Sequence, residues 1–510
     1  MNAISFLKRN ADRYPEKTGF IFNETPYTYE QIRLTSMGFA NYLKERGIGK
    51  GDKVCTMFQN SIELMYTYFS VLTLGAVVVP INFRFVASEV SYIINNSDAK
   101  AIVFAEPFKD VINQIEDQLT KVEFPALLNE AGDGKSNPFG PCTLREATAI
   151  ERMAPDMFDE AFIMYTSGTT GKPKGVILTH SNMVWNQAKL INSPPLRHDE
   201  IMISPLPFFH GGGLGRCMAA WLLGGTVISW EKFDAARLLD ALSKYRATFI
   251  IMVPAMARML FALPNINTAD VSSVKNVLLT AAVVPVPLKK QTMEVFHNAQ
   301  IIDGYGLTEN CSAVTSLLGE DVFKKPSSVG LPHLFVEVKI VNENYGEVEA
   351  NVVGEIAVSG PTVMKGYYND PEGTAETIRG GWLMTGDLGR KDEEGYLYIV
   401  GRKKDMIISG GENIYPAEIE AVLGTHPKIE ECAVIGVPHA KWGETVLALL
   451  VLKTGQEMGE DEVEEFCKGR MAPYKRPRIV KFVDSLIKNA MGKTMKDELK
   501  KMYDGSSSAQ

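Results

Sequence analysis

The sequence predicts an α/β protein of more than one domain, and two observations predict it. Short apolar runs with strand character alternate with amphipathic helical segments along most of the chain, which is typical of parallel sheets covered by helices. The length of 510 residues exceeds what a single hydrophobic core usually supports. We therefore expect a large domain of α/β layers and at least one further unit.

The N-terminal part of the chain contains alternating helix and strand patterns. An amphipathic pattern that ends at a glycine predicts the first helix, because glycine tolerates the left-handed conformation of a helix C-terminus. The predicted elements are a helix over 29–46, a strand over 53–58, a helix over 61–74, and strands over 76–81 and 101–104. A stretch rich in Gly, Pro and Asn, 129–143, predicts a surface excursion.

The segment from Tyr165 to Gly175, YTSGTTGKPKG, is the densest chemical motif of the chain. Apolar runs on both sides predict a strand, a loop and a second strand. Glycines, hydroxyls and two lysines in one loop are suited to binding a polyanion such as a nucleoside triphosphate. It is not a Walker A motif, because only two residues separate Gly168 from Gly171 and Pro173 follows Lys172.

The pattern changes twice after this loop. A helix near 181–190 and strands over 248–253, 277–280 and 301–310 continue the α/β alternation. Short strands with glycine turns from 329 to 400 predict an antiparallel β subdomain. A charged junction at 401–405 then leads to a final α/β unit with a helix at 416–423 and strands at 431–437 and 445–453.

Composition narrows the class of function. The net charge of -8 argues against a general nucleic-acid binder. The longest apolar run, 68–81, is too short to cross a bilayer, and six scattered cysteines without metal spacing indicate reduced thiols in a cytoplasmic protein. His210-Gly-Gly-Gly213 also occurs in lipase oxyanion holes, but no G-x-S-x-G elbow accompanies it, which excludes that class.

Five motifs occur in an order that resembles the ANL superfamily of AMP-forming acyl-CoA synthetases and other adenylate-forming enzymes. They are the glycine-rich loop, Gly304-Tyr-Gly-Leu-Thr-Glu309, Thr385-Gly-Asp387, Gly401-Arg402 and Asn489-Ala-Met-Gly-Lys493. The resemblance implies attack of a carboxylate on the α-phosphate of ATP, followed by transfer of the acyl group to coenzyme A. It also implies an N-terminal AMP-binding domain at 1–401, a hinge at 402–405 that contains Lys404, a small mobile C-terminal α+β domain at 406–503, and a disordered tail at 504–510.

The same resemblance implies roles for particular residues. Lys493, Thr308, Glu309 and His210 would be catalytic, with Lys493 bridging the attacking carboxylate and the α-phosphate, and Glu309 would bind Mg²⁺. Tyr305 would stack on adenine, and Asp387 would accept hydrogen bonds from the ribose, although an Asp387–Arg402 surface ion pair is the alternative. The implied nucleotide-binding residues are Thr166, Ser167, Gly168, Thr169, Thr170, Gly171, Lys174, Ala282, Asp303, Gly304, Tyr305, Asp387 and Arg402.

Coenzyme A would be held by aromatic and basic residues. The implied residues are Arg84, Gly411, Trp442, Tyr474 and Arg476. Four mainly apolar stretches, 208–214, 253–256, 281–284 and 311–313, would line the acyl pocket. They favour a medium- or long-chain fatty acid over a dicarboxylate; an aryl or branched acid, or loading of a carrier protein, are the alternatives. The oligomeric state is left open, with a homodimer as one option.

Overall fold

The computed structural model describes residues 2–127, 139–151, 155–166, 172–280, 282, 284–488 and 494–503. These residues form a mixed α/β structure with four sheets, which confirms the predicted fold class. The strands are β1 (Thr18–Phe22), β2 (Thr25–Thr28), β3 (Lys53–Met57), β4 (Val77–Ile81), β5 (Ala99–Phe104), β6 (Phe124–Leu127), β7 (Glu160–Thr166), β8 (Lys174–Thr179), β9 (Ile201–Ile203), β10 (Thr226–Ser229), β11 (Phe249–Met252), β12 (Asn276–Leu279), β13 (Gln300–Leu307), β14 (Ser312–Leu318), β15 (Leu331–Pro332), β16 (Glu337–Val341), β17 (Gly354–Ser359), β18 (Gly366–Tyr367), β19 (Ile378–Arg379), β20 (Trp382–Lys391), β21 (Leu397–Arg402), β22 (Ile407–Ser409), β23 (Glu412–Ile414), β24 (Ile429–His439), β25 (Gly443–Leu452) and β26 (Ile479–Phe482).

The four helices predicted at 29–46, 61–74, 181–190 and 416–423 are present, each with bounds within one residue of the prediction. The α-helices are α1 (Ser5–Arg13), α2 (Tyr29–Glu45), α3 (Ile62–Thr73), α4 (Ala87–Asn96), α5 (Lys109–Asn113), α6 (Leu144–Glu151), α7 (His180–Ile191), α8 (Gly211–Leu223), α9 (Ala235–Lys244), α10 (Pro254–Phe261), α11 (Val286–Val295), α12 (Asp321–Lys324), α13 (Pro371–Thr377), α14 (Pro416–Leu423), α15 (Glu460–Cys467) and α16 (Lys496–Tyr503). Short 3-10 turns include Thr308–Asn310 and Lys403–Asp405. None of the helices within the described ranges is long and apolar enough to cross a membrane.

Two large sheets share one design: a parallel centre with antiparallel strands at an edge. The nine-stranded sheet has the order β15-β14-β13-β12-β11-β9-β10-β1-β2, and the seven-stranded sheet has the order β18-β8-β7-β4-β3-β5-β6. Pairing changes from parallel to antiparallel between β13 and β14 in the first sheet and between β7 and β8 in the second. The two motifs predicted to bind phosphate lie at these two changes of direction.

The contact pattern divides the chain into two units. The larger contains Met1–Pro326, Gly330–Glu337 and Val358–Leu383; the smaller contains Ser327–Val329, Val338–Ala357 and Met384–Gln510. The chain passes between the units more than once, whereas the sequence analysis placed one boundary at 401–405. The domain boundaries of the sequence analysis remain a prediction.

Strand periodicity explains the core of the smaller unit. Its C-terminal sheet has the order β23-β22-β25-β24, with β26 parallel to β25. Val446, Ala448 and Leu450 of β25 pack in one apolar cluster with α14 and α15, while Leu447 and Leu449 pack on the other face with Leu499 of α16. Because successive side chains of a strand point to opposite faces, the apolar part of β25 is covered on both sides.

Candidate active site

The glycine-rich loop is the connection of an antiparallel hairpin. In β7 and β8, Thr166 pairs with Lys174 and Tyr165 pairs with Gly175, as predicted from the apolar runs on either side. The Lys174 ammonium lies 3.0 Å from Asp370 and over the ring of Tyr367. Ser167, Gly168, Thr169, Thr170 and Gly171 lie outside the described residues, so their phosphate role stays a prediction.

The turn between β13 and β14 consists of residues 308–311, and Gly304 lies in β13 just before it. Gly304 is required here because a Cβ would lie 2.5 Å from the Thr315 carbonyl oxygen of the neighbouring strand. Thr308 begins the 3-10 turn, and Cys311 and Ser312 have φ values of 53° and 100°, which tighten the return into β14. Thr308 and Glu309 are thereby held together where β13 ends in the nine-stranded sheet.

A segment far along the chain ties this turn to the hairpin, and we call residues 361–370 the strap. The Met364 amide donates to the Glu309 carbonyl oxygen at 2.8 Å, and the Tyr367 hydroxyl donates to the Glu309 carboxylate at 3.1 Å. The Tyr368 amide donates to the Gly175 carbonyl oxygen at 2.7 Å. Burial and the neighbouring Glu309 carboxylate raise the pKa of Tyr367, which keeps its hydroxyl protonated as a donor.

A buried lysine supports the turn from inside the protein. Lys189 of α7 is 0% exposed, and its ammonium donates to the carbonyl oxygens of Ala313 at 2.5 Å and Asn310 at 3.4 Å. Thr362 of the strap donates to the Asn310 side chain at 2.8 Å and accepts from Lys189 at 3.3 Å. Burial lowers the pKa of Lys189 to about 7. This network gives the 308–313 turn a fixed shape.

Asp303, predicted to lie near adenine, has a structural partner. Its carboxylate lies 2.7 Å from the Lys289 ammonium and accepts from the Gly304 amide at 2.8 Å. Both side chains of this ion pair are buried. The half-buried Tyr305 lies two residues further along β13. The ion pair anchors β13 to α11, while the adenine contacts of Asp303 and Tyr305 remain a prediction.

His210 and the glycines that follow it form the start of α8. The His210 Nδ1 accepts a hydrogen bond from the Gly212 amide at 3.0 Å, so the proton of a neutral ring resides on Nε2. A narrow cleft borders this helix start. Its lining includes Gly211, Gly215, Thr308, Cys311, Ser312 and, from α7, Asn186, together with apolar side chains such as Met164 and Met183. Burial raises the pKa of the Cys311 thiol to about 12, which keeps it protonated and makes it a poor nucleophile.

Two of the four stretches predicted to line the acyl pocket, 208–214 and 311–313, supply residues of this cleft. Phe208 is not part of the cleft lining. Its ring is fully buried, and the ring centroid lies 6.2 Å from that of Phe20. Within the described residues, 253–256 and Val284 are not part of its lining. Ala282 is exposed, and Ala281 and Val283 lie outside the described residues.

Asp387 and Arg402 face each other across β20 and β21. The Arg402 Nε lies 3.0 Å from the Asp387 carboxylate, and the two residues are register partners. The ion pair kept as the alternative in the sequence analysis is therefore present. Its carboxylate is buried, with Asp387 5% exposed, whereas the Arg402 side chain is 38% exposed. A carboxylate can accept several hydrogen bonds, so an ion pair does not exclude a ribose contact, and the ribose role of Asp387 stays a prediction.

One residue predicted to bind coenzyme A, Trp442, lies in the smaller unit beside two basic side chains that the predicted set did not include. Arg478 lies over the Trp442 ring at 4.9 Å, and Lys441 lies over the same ring at 4.7 Å. Arg478 also donates to the Ser409 hydroxyl at 3.3 Å. Gly410 is needed beside this ring, because its φ is +61° and a Cβ would lie 2.7 Å from Trp442. An aromatic ring and two cations in one area are residue types suited to a purine with phosphate groups.

The other predicted residues are placed as follows. Arg84 is exposed and belongs to the larger unit, whereas Gly411, Tyr474 and Arg476 belong to the smaller one. Lys404, the predicted hinge residue, lies 2.6 Å from the Asp497 carboxylate. Lys493 lies outside the described residues, so its catalytic role stays a prediction.

Three residues of the larger unit were not found from the sequence: Asn186, Lys189 and Tyr367. Each is distant in sequence from the motif it contacts, and none belongs to a local pattern. A lysine in an amphipathic helix is expected on the solvent-exposed face, so the sequence did not indicate that Lys189 is buried.

The chain is similar to known proteins over nearly its whole length. The model of the AMP-binding enzyme family matches residues 7–368, and that of the AMP-binding enzyme C-terminal domain matches residues 418–493. A feruloyl-CoA synthase of Amycolatopsis is 35% identical over 98% of this chain and 98% of its own. A long-chain fatty acid–CoA ligase of Mycobacterium tuberculosis is 35% identical over 98% of this chain and 97% of its own. The o-succinylbenzoate–CoA synthetase of Bacillus subtilis, solved with its acyl-adenylate, is 30% identical, covers 97% of both chains and has a TM-score of 0.84.

The chain therefore belongs to the AMP-binding enzyme family, which is the ANL superfamily, and it is an AMP-forming acid–CoA ligase.

Proposed function

We propose that this chain activates a hydrophobic carboxylic acid with ATP and transfers the acyl group to coenzyme A. The observation that carries the proposal is the cleft beside Thr308. Among the described residues it is lined by glycines, apolar side chains, Cys311 and the uncharged polar residues Asn186, Thr308 and Ser312, without a charged side chain. Such a lining suits an apolar acyl group and disfavours a second carboxylate. A medium- or long-chain fatty acid is the first candidate, and an aryl acid is the second.

In the first half-reaction an oxygen of the substrate carboxylate attacks the α-phosphorus of ATP, and the bond to pyrophosphate breaks. Thr308, fixed by the turn described above, would contact the α-phosphate, and Lys493 would lie between the two anions that react. Glu309, held by Tyr367, is a hard oxygen ligand that fits Mg²⁺. When bound, Mg²⁺ supplies neutralisation of the phosphate charge.

In the second half-reaction the sulfur of coenzyme A attacks the acyl carbonyl carbon, and the bond to AMP breaks. The cluster of Trp442, Lys441 and Arg478 supports coenzyme A as the acceptor. The arrangement favours a nucleotide-bearing thiol over the carrier protein that the sequence analysis kept as an alternative, because it offers one aromatic face and two cations in a small area.

The aryl candidate has an observation of its own. Relatives named for a ferulate and for a long-chain fatty acid are equally similar to this chain, at 35% identity. Sequence similarity therefore does not distinguish the two acyl classes, so the preference is inferred from the residues that line the cleft.

The test is product analysis with ATP, Mg²⁺ and a panel of C2 to C16 and aryl acids, each with and without coenzyme A. We expect AMP, pyrophosphate and a thioester that forms only with coenzyme A, with the highest kcat/KM for an apolar acid of six carbons or more. Turnover confined to acetate or malonate would contradict the proposed substrate class. Formation of ADP and phosphate would contradict the reaction.

A further inference from the structure

One polar side chain in the cleft has a buried oxygen without a hydrogen-bond partner among the described residues. Asn186 is 1% exposed, it lines the cleft, and its Oδ1 is buried without a hydrogen-bond partner among the described residues. Buried side-chain amides are normally hydrogen-bonded, because an unpaired polar atom removed from water destabilises the folded state. An unpaired amide in a binding cleft therefore indicates a partner that arrives with the ligand.

A small space borders the nitrogen of the Asn186 amide. Gly215 of α8 lies opposite, and a Cβ at this position would be 3.4 Å from the Asn186 Nδ2 and 3.5 Å from the Ser312 Oγ. The absence of a side chain at 215 thus leaves both polar groups beside the same space. An amide and a hydroxyl together can accept and donate, which matches a ligand group that does both.

The neighbouring amide on the same helix shows the contrast. Gln187 is also 1% exposed, but its side chain donates to the Ala3 carbonyl oxygen at 3.2 Å. It is a buried amide satisfied by the fold and outside the cleft lining. Asn186 differs from it in lining the cleft and in lacking a partner for its oxygen.

We infer that Asn186 determines specificity by accepting a hydrogen bond from a hydroxyl group on the otherwise apolar part of the substrate acid. The inference rests on the proposed function and refines it: the preferred substrate is a hydroxylated acid, aryl or alkyl, with Ser312 as a second polar contact. A binding site built to pair with a hydroxyl discriminates strongly against the analogue that lacks it, because its own polar group is then left unpaired.

The test uses pairs of acids that differ only by one hydroxyl. Phenylpropenoic acid is compared with its 2-, 3- and 4-hydroxy derivatives, and decanoic acid with its 8-, 9- and 10-hydroxy derivatives, as acyl-CoA formation at limiting acid. We expect the wild type to prefer at least one hydroxylated acid over its parent by about tenfold or more in kcat/KM. Parents used as well as or better than every derivative would overturn the inference.

Variants assign the preference to one residue. Asn186→Leu keeps the size of the side chain and removes both polar atoms, so the preference ratio should fall about tenfold. Gln187→Leu makes the same change in the adjacent amide and should retain the wild-type ratio. The ratio is independent of the fraction of active enzyme, so partial misfolding of a variant does not affect it.

The assay distinguishes failure of the proposed function from failure of the inference about Asn186. If the wild type forms no coenzyme A thioester from any acid, the proposed function and the inference fall together. If it forms thioesters, and the ratio is unchanged in Asn186→Leu or changes equally in Gln187→Leu, only the inference is overturned.

Discussion

Removal of the Tyr367 hydroxyl tests whether the strap orders Glu309 for catalysis. Tyr367→Phe deletes one hydrogen bond to the Glu309 carboxylate and leaves the ring in place. A hydrogen bond to a charged group contributes about 1.5–3 kcal/mol. The distance of 3.1 Å is long for an O–H···O bond, so we adopt the lower end, which corresponds to about a tenfold loss of rate.

The assay is ATP–pyrophosphate exchange, which reports the first half-reaction alone, measured over a titration of Mg²⁺. We expect kcat to fall about tenfold and the Mg²⁺ concentration for half-maximal rate to rise, because the carboxylate is less ordered when the metal binds. The KM for the acid should change little, since Tyr367 is not part of the cleft lining.

The next residue provides a matched control. The Tyr368 hydroxyl donates to the Asp98 carboxylate at 2.9 Å, so Tyr368→Phe removes the same kind of bond away from Glu309. We expect a change in exchange rate below about twofold for this variant. Equal losses in the two variants, or no loss in Tyr367→Phe, would refute the reasoning.

Three further predictions concern charged residues. Burial lowers the pKa of Lys189 from 10.5 to about 7, so the unfolded chain binds this proton more tightly and stability rises with pH from 7 towards 10.5. In urea titrations, the free energy of unfolding of the wild type should rise by up to about 1.4 kcal/mol per pH unit between pH 7 and 9 relative to that of Lys189→Met. The same pH dependence of stability in both proteins would contradict this prediction. Asp387→Ala should raise the KM for ATP at least about tenfold if the carboxylate binds ribose, whereas a loss of stability with KM unchanged would assign it to the ion pair with Arg402. Lys493→Ala should abolish most pyrophosphate exchange but leave thioester formation from supplied acyl-adenylate less affected, and equal loss of both would defeat the assignment.

Local sequence signals predicted four helices and several strands of the two large sheets and of the C-terminal sheet. The helix at Pro416–Leu423 was predicted with the bounds observed, and the hairpin of β7 and β8 followed from two apolar runs around a glycine-rich loop. Such features depend on periodicity and turn chemistry within about twenty residues, which a single sequence displays.

The contacts that complete the candidate site are not local. Tyr367 approaches Glu309 only because β18 pairs with β8, and Lys189 lies beneath the 308–313 turn only because α7 packs against β14. An isolated tyrosine, lysine or asparagine carries no pattern from which such a contact could be predicted. The ordered ANL motifs compensated for this in part, since they indicated Thr308, Glu309 and Asp387 without any knowledge of packing.

The strap also imposes an order in time on the formation of the site. Lys365 pairs with Glu160, which precedes it by 205 residues, and Tyr367 contacts a residue 58 positions earlier. While the chain is being synthesised, both sheets can form most of their strands before the strap has left the ribosome, since N-terminal parts fold first. The hairpin and the Thr308–Glu309 turn are joined only afterwards, by contacts that close long loops. A nascent chain is therefore expected to be largely folded before it can bind nucleotide productively.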